Sequence, residues 1–427
     1  FIPLAFRAFL VTFCAAATAW SARDGLSSFF GEFLGQAIDP VCDLLVRTGG
    51  EYALVLASVL ALGARVAYDV TPFPLVTVCP YPVFFQSVHL PPVQSRVRFD
   101  TLATGTVQRR MYRALDVLST ACLGPPEEYP RLVLGNTAPL WQRRLFKRLA
   151  LAVGDKALAP AVNATRAKHG LAPVRGVFGQ ALFSPRKILA LFPEWFAPPQ
   201  EDWPAQTEVC NFPELGMNRQ APSAALRRFL EQGPPPVVVT FGSCKQRNAG
   251  LFAAAATALR RLEMRGVFVS AVEEDMPREL PASILHTPFE PFPFLFRQAR
   301  LVVHHAGIGT CADGLRAGVP QLLVPFSYDQ PDNATRLQRL GVGRIIAPGR
   351  CTAETLAGAM QRLMQREATA QACRQYADLL RQADAEQRAV RLVCRWMEEG
   401  LPSPEICPQG LTASQERNRR PFFRLGR

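Results

Sequence analysis

From residue 234 onward the chain repeats one rhythm: a short unbroken apolar run, a glycine-bearing turn, then a segment with apolar residues at helical spacing. Pro234-Pro-Pro leads into Val-Val-Val-Thr-Phe and stops at Gly242-Ser243. Further apolar runs at Val267–Val272, Leu301–Val303, Gln321–Val324 and Arg344–Ile346 predict strands, while Gly250–Arg265, Thr352–Gln365 and Thr369–Glu398 predict helices. Runs without alternation belong to strands covered on both faces, as in parallel sheets. Strands alternating with helices then predict an open, doubly wound α/β unit.

The first half has the same flavour with weaker punctuation. Leu45–Leu60 and Leu75–Val78 read as helix-to-strand transitions broken by Asp69-Val-Thr-Pro-Phe-Pro, and Ala53–Val66 as a buried strand running into a helix. Residues 80–95, rich in Pro, Phe and Val, read as a loop at a strand end. Cys122-Leu-Gly-Pro-Pro-Glu-Glu-Tyr-Pro is excluded from helix interior by its prolines. The proline–aromatic segment Phe192–Pro204, with Trp195 and Trp203 as packing or interface residues, closes a first unit. The expected division is 1–205, a connection at 206–233 with a helix over Ser223–Gln232, a second unit at 234–400 and a basic tail at 401–427. No repeat of fixed period is present.

Composition narrows the class. A chain of 427 residues with 48% hydrophobic and 19% charged residues has material for two ordinary cores. The net charge of +13 is dispersed over short pairs such as Arg109–Arg110, Arg143–Arg144, Lys147–Arg148 and Arg260–Arg261, without a nucleic-acid-binding motif. That pattern predicts a solvated basic surface, with anionic lipid rather than nucleic acid as its counterpart. Eleven scattered cysteines, with no Cys-x-x-Cys and no metal spacing, predict reduced buried thiols and a cytoplasmic setting. Phe1–Trp20 is apolar but interrupted by Arg7, and Ala53–Val66 is too short to cross a bilayer, so no transmembrane segment is predicted.

Chemistry concentrates in residues 302–333. Two histidines, His304 and His305, end a predicted strand, a glycine loop follows, and Asp329-Gln330 lies just beyond the next strand. Ligands of parallel sheets bind at the carboxyl ends of strands, so both clusters should face one crevice. Gly307-Ile-Gly-Thr-Cys-Ala fits the dinucleotide fingerprint, and Asp329 follows about twenty residues later. In a dehydrogenase that acid should end the second strand; here Pro325-Phe-Ser-Tyr intervenes. Either way, glycines admit a diphosphate to a helix N-terminus, placed from Thr310. No Gly-Lys-Ser/Thr is present, which excludes a P-loop. His304 reads as a packed residue and His305 as the functional one. Asp313 reads equally as a ligand or as an acid of the first helical turn, and Asp329 as a sugar contact or as a cap of the following helix.

At this point the segment resembles a known pattern. His304-His-x-Gly-x-Gly-Thr, Ala317-Gly-Val-Pro and Asp329-Gln-Pro-x-Asn are similar to the donor motif of family 1 glycosyltransferases of the GT-B fold, in the branch of rhamnosyltransferase B-like and sterol-glucosyltransferase-like enzymes. Ala306 stands where that motif commonly has glycine. Val239-Thr-Phe-Gly-Ser, Phe289-Glu-Pro-Phe, Leu191–Gln200 and Ser87-Val-His-Leu-Pro-Pro-Val extend the likeness over most of residues 50–400. The resemblance implies an α/β GT-B architecture of two Rossmann-like domains facing across a cleft. It implies inverting, metal-independent transfer of a hexosyl group from a UDP- or dTDP-sugar to a hydroxyl of a hydrophobic acceptor, without a cofactor. By position, Phe289 with Phe292 beside it would stack on the base, and Gly242 and Ser243 would meet the nucleotide. His305, Gly307, Gly309 and Thr310 would hold the diphosphate, Asp313 the ribose, and Asp329 and Gln330 the sugar. Phe84, Phe85 and His89 would line the acceptor pocket. The setting implied is cytoplasmic, extending to a peripheral position at the inner membrane face.

One part of the pattern is not found. The resemblance implies a strand, glycine turn and helix that carry the general base before residue 1, so the amino-terminal domain is expected to lack its first β–α unit and its base. His89 is the replacement candidate. The alternatives are a nucleotide-sugar-binding remnant, a GT-B-fold epimerase and an NAD-dependent dehydrogenase.

Overall fold

The computed structural model describes residues 34–92, 139–179, 181–213, 221–242, 248–326, 328–382 and 385–401. Expectations for Phe1–Trp20, the missing first unit, Arg109–Arg110, Cys122–Pro130, Ser243 and the tail after Leu401 lie outside these residues.

The first unit runs α1 (Leu34–Thr48), β1 (Val55–Ser58), α2 (Leu62–Val70), β2 (Leu75–Cys79), α3 (Leu140–Lys168), β3 (Lys187–Ala190) and β4 (Thr207–Val209). Its four strands pair in parallel in the order β1-β2-β3-β4. Among the described residues β1 is an edge strand, with alternate residues exposed, not the fully buried strand its composition suggests. Leu56 is exposed, so the face on which it stands is uncovered at β1. β2 and β3 are the buried strands of this sheet.

The second unit follows α4 (Ala224–Glu231), whose N-cap Ser223 accepts the Leu226 N–H. It runs β5 (Val237–Thr240), α5 (Ala249–Arg261), β6 (Gly266–Val269), β7 (Ile284–Thr287), α6 (Phe292–Arg297), β8 (Leu301–His304), α7 (Ile308–Ala317), β9 (Gln321–Leu323), α8 (Gln330–Arg339) and β10 (Gly343–Ile345). The strands are parallel in the order β10-β9-β8-β5-β6-β7. Chain direction across the sheet therefore reverses between β5 and β8, where adjacent connections leave on opposite faces and open a crevice. Apolar layers cover both faces, one built on α5 and α9 (Ala353–Gln365), the other on α4 and α6.

Beyond α9 come α10 (Glu367–Gln382) and α11 (Ala385–Glu398). The single helix expected over Thr369–Glu398 is thus two, and the second leaves the donor unit. Leu392 and Trp396 of α11 pack on Val76, Leu189 and Cys210 of the first sheet, and the Lys187 ammonium lies 5.9 Å from the Trp396 ring centroid. Residues 385–398 thus belong spatially to the amino-terminal unit, a correction to the 234–400 division. The largest apolar cluster also joins the units, bringing Ala306, Cys311, Leu315 and Leu337 against residues of the first.

Among the described residues all seven cysteines are free thiols, and burial pushes buried ones such as Cys79 up to about 12. No helix among them is long and apolar enough to cross a membrane.

Candidate functional site

The crevice between β5 and β8 is built around one imidazole. Thr240 and His304 are paired in register at the ends of these strands, so Gly242 and His305 emerge side by side. Gly242 has φ +86°, and a Cβ there would stand 2.9 Å from His305 Cε1. A Cβ at Gly307 would stand 2.6 Å from His305 Nε2. The ring is held between two glycines, and any side chain at either would displace it. Its Nδ1 is buried without a hydrogen-bond partner. Burial lowers the ring's pKa to about 4, so at neutral pH it is a neutral donor and not a cation.

His304 has a different task. It is fully buried, its Nε2 lies 2.9 Å from Gln321 Oε1, and its Nδ1 accepts the Ala306 N–H. That acceptance fixes the tautomer with the proton on Nε2. Burial, then the neighbouring His305, lowers its pKa to about 3. Ala306 between these elements has φ +67°, the left-handed region that favours glycine. This gives a physical reason for glycine at that position of the motif.

The helix N-terminus opens earlier than expected. α7 begins at Ile308, not Thr310, with Gly307 as N-cap. Gly309 is exposed, with open space where a Cβ would be. Asp313 therefore lies in the second turn, which removes its reading as a first-turn acid. Its carboxylate is 3.4 Å from the Arg316 guanidinium, which also donates to the carbonyls of Phe212 and Pro213. In this state the pair fastens α7 to the connection between the units.

Asp329 occupies the N-cap position of α8 but its side chain does not cap that helix. The carboxylate instead accepts the Asn333 amide at 2.6 Å and reaches the Ile308 N–H at the start of α7. Burial raises its pKa to about 6, against the pull of these donors. The reading as a local cap is thereby set aside. Gln330 Oε1 accepts the Phe326 N–H at 2.8 Å, holding the β9–α8 loop. Asn333 also donates to the Ala306 carbonyl at 3.1 Å, so the two halves of the motif are tied through one side chain. Asp332 pairs internally with Arg336 at 2.8 Å, and Arg336 donates to the Phe196 carbonyl of the first unit.

Phe289 follows β7 and is 55% exposed, free to offer a ring face. Its loop is anchored by buried Glu290, whose carboxylate accepts from Ser223 and Thr287. Phe292 departs from expectation: its ring stacks on Phe296 with centroids 4.7 Å apart, inside an apolar layer.

Two acceptor-side expectations are corrected. Phe85 is buried between Phe183 and Trp203, and Phe84 is buried against Tyr81 and Phe178. Both are core residues; a Pro-Phe-rich loop gave no signal of which rings turn inward. Trp203 is likewise core, whereas Trp195 contacts Tyr376 of α10 across the units, with centroids 4.8 Å apart. His89 is a surface residue, its ring 46% exposed and 3.9 Å from Glu201. The residue of the first unit that does sense the site is Tyr81, whose phenol is raised to about 12 by burial and then by the charge of Asp329. Nothing in its Pro-Tyr-Pro setting announces that role. Among the described residues no three His, Cys, Asp or Glu side chains gather as a metal site.

Two parallel sheets facing a crevice, one with a glycine-cradled helix N-terminus, define the GT-B fold of glycosyltransferases. The chain matches the glycosyltransferase of kitacinnamycin (TM-score 0.59, 20% identity, 88% of this chain and 83% of the other). It also matches the glycosyltransferase VinC in complex with dTDP (TM-score 0.54, 18% identity, 91% and 85%). Residues 266–391 match the erythromycin biosynthesis protein CIII-like, C-terminal domain family. The chain is 34% identical over 246 residues to an O-mycaminosyltylonolide 6-deoxyallosyltransferase from Streptomyces fradiae, covering 56% of each chain. It is 29% identical over 217 residues to a sterol 3-beta-glucosyltransferase from Arabidopsis thaliana, covering 49% of this chain and 34% of that one. The chain thus spans about half the length, or less, of these curated relatives.

Proposed function

We propose that this protein is an inverting glycosyltransferase that moves a hexosyl group from a UDP- or dTDP-sugar to a hydroxyl of a hydrophobic acceptor without a metal ion. The observation that carries the reading is the His305 ring held between Gly242 and Gly307, with its Nε2 against Gly307, the N-cap of α7, and its Nδ1 buried without a partner. A diphosphate placed there meets the N–H groups of Gly309 and Thr310, the positive end of the helix and a neutral imidazole donor. Phe289 supplies a ring for the base. Asp329 and Gln330, at the start of α8, are the candidates for the sugar hydroxyls. Asp313, released from Arg316, is the ribose candidate.

In this reaction the acceptor oxygen attacks the anomeric carbon from the face opposite the diphosphate. The new carbon–oxygen bond forms as the anomeric carbon–phosphate oxygen bond breaks, its electron pair leaves on the diphosphate, and the acceptor hydroxyl gives up its proton to water. His305 and the α7 dipole stabilise the charge that develops there. The dTDP complex of one structural relative and the sterol and deoxysugar names of two sequence relatives support the donor and acceptor classes. His89 is too exposed to be assigned as the base. That exposure favours a second reading, a nucleotide-sugar-binding protein without transfer.

Incubation of the purified chain with dTDP- or UDP-glucose and a panel of sterol and macrolide alcohols, followed by mass analysis, separates the two. Transfer that is lost in His305→Ala supports the enzyme. Tight donor binding without product from any acceptor supports the binding protein.

A further inference from the structure

Helix α3 has two faces of opposite character. The inner one is fixed to the fold. Arg143 donates to the carbonyls of Val88 and His89, and Lys147 pairs with Asp202 at 2.9 Å. Asp155 accepts the N–H groups of Gly176 and Phe178, and Leu158 and Val162 enter the core. On the other side Trp141, Arg144, Leu145, Arg148 and Ala152 follow one another at helical spacing as a single stripe, and all five are exposed. Trp141 is 64% exposed, Leu145 48%, and Leu140, next to them at the helix start, 40%.

Charge decides what this stripe fits. The first acid in α3 is Asp155, and it faces inward. Arg144 and Arg148 have no ion-pair partner among the described residues. A tryptophan and a leucine alternating with two arginines that have no ion-pair partner among the described residues match the boundary of a bilayer, where indole and aliphatic groups sit at headgroup depth and guanidinium groups meet lipid phosphates. An apolar protein partner would cover the rings and leave the arginines uncompensated.

We propose that the exposed stripe of α3, Trp141 to Ala152, docks the protein on an anionic membrane surface. The inference rests on α3 alone and not on the donor-site reading. It would bring a membrane-dissolved hydroxyl compound to the first unit's side of the cleft.

The test is co-sedimentation of the full chain with vesicles of phosphatidylcholine alone or mixed with phosphatidylglycerol. The expected result is binding to the mixed vesicles, weakened by salt, with little binding to neutral ones. Each basic side chain near an anionic surface contributes about fivefold, so Arg144→Glu with Arg148→Glu should lower partitioning by about 25-fold or more. Trp141→Ser with Leu145→Ser should abolish it. Both variants should keep whatever dTDP affinity the parent has, so loss of dTDP binding in the parent touches only the donor reading. Equal binding to neutral and anionic vesicles, or unchanged binding by the arginine variant, overturns the proposal. So does a serine variant that changes oligomeric state by light scattering without changing vesicle binding, since the stripe would then belong to a second copy.

Discussion

At the scale of single residues, the site depends on what is missing from glycine and what is buried on aspartate. Gly307→Ala puts a methyl group where His305 Nε2 lies. The ring must turn away, and the loss of one charge-assisted hydrogen bond predicts a fall in nucleotide affinity of about tenfold or more with the fold retained. Calorimetric titration with dTDP, set beside circular dichroism, checks both halves. Asp329 makes a contrasting prediction. Its carboxyl holds a proton up to about 6 in the fold but releases it at 3.8 when unfolded. The folded state therefore binds the proton more tightly, and stability from this group declines as pH rises from 3.8 to 6. At about 1.4 kcal/mol per pH unit, the ionised group costs the donor-free protein on the order of 3 kcal/mol at neutral pH. Asp329→Asn should raise the melting temperature by several degrees at pH 7, and that advantage should vanish below pH 3.8, while sugar-nucleotide affinity falls. Thermal melts across pH measure it.

The residue roles were unevenly legible in the chain. The histidine and glycine positions could be read because a polar ring between a β run and a glycine loop has few structural uses. The side to which Asp329 turns could not, because the N-cap position and the reach toward α7 share one residue. Nor could the inward turn of Phe84 and Phe85, since aromatic rings in a loop carry no period.

At the scale of elements, the doubly wound sheet followed directly from unbroken aliphatic runs such as Val237–Thr240 and Leu301–His304. β7 was not foreseen, because Ile-Leu-His-Thr is short and carries a histidine whose Nε2 lies 3.0 Å from the Ser270 carbonyl. The sequence places the start of α7 at Thr310, two residues late, because Gly307 and Gly309 have the composition of a loop. Helix α8 shows how one motif serves two purposes: Asp329 and Gln330 face the crevice loops, while Asp332 and Arg336 form a buried pair that also binds the Phe196 carbonyl. Arg336→Ala removes the hydrogen-bonded cation of the buried Asp332 carboxylate and should destabilise the fold by about 3–5 kcal/mol in denaturant titration.

At the scale of the whole molecule, α11 closes the architecture by returning from the donor unit to the first sheet. Sequence order assigned it to the second unit because nothing in an amphipathic helix names the face it will meet. Trp396 is its main anchor there. Trp396→Ala should cost about 3 kcal/mol, seen as an earlier unfolding transition of the first unit. Donor binding in this molecule turns on the crevice at the reversal point of the second sheet. Isothermal titration of the full chain with dTDP-glucose, UDP-glucose and NAD tests it most directly. The expected result is saturable binding of a sugar nucleotide that is lost in His305→Ala, and no binding of NAD. Tight NAD binding without sugar-nucleotide binding would contradict it.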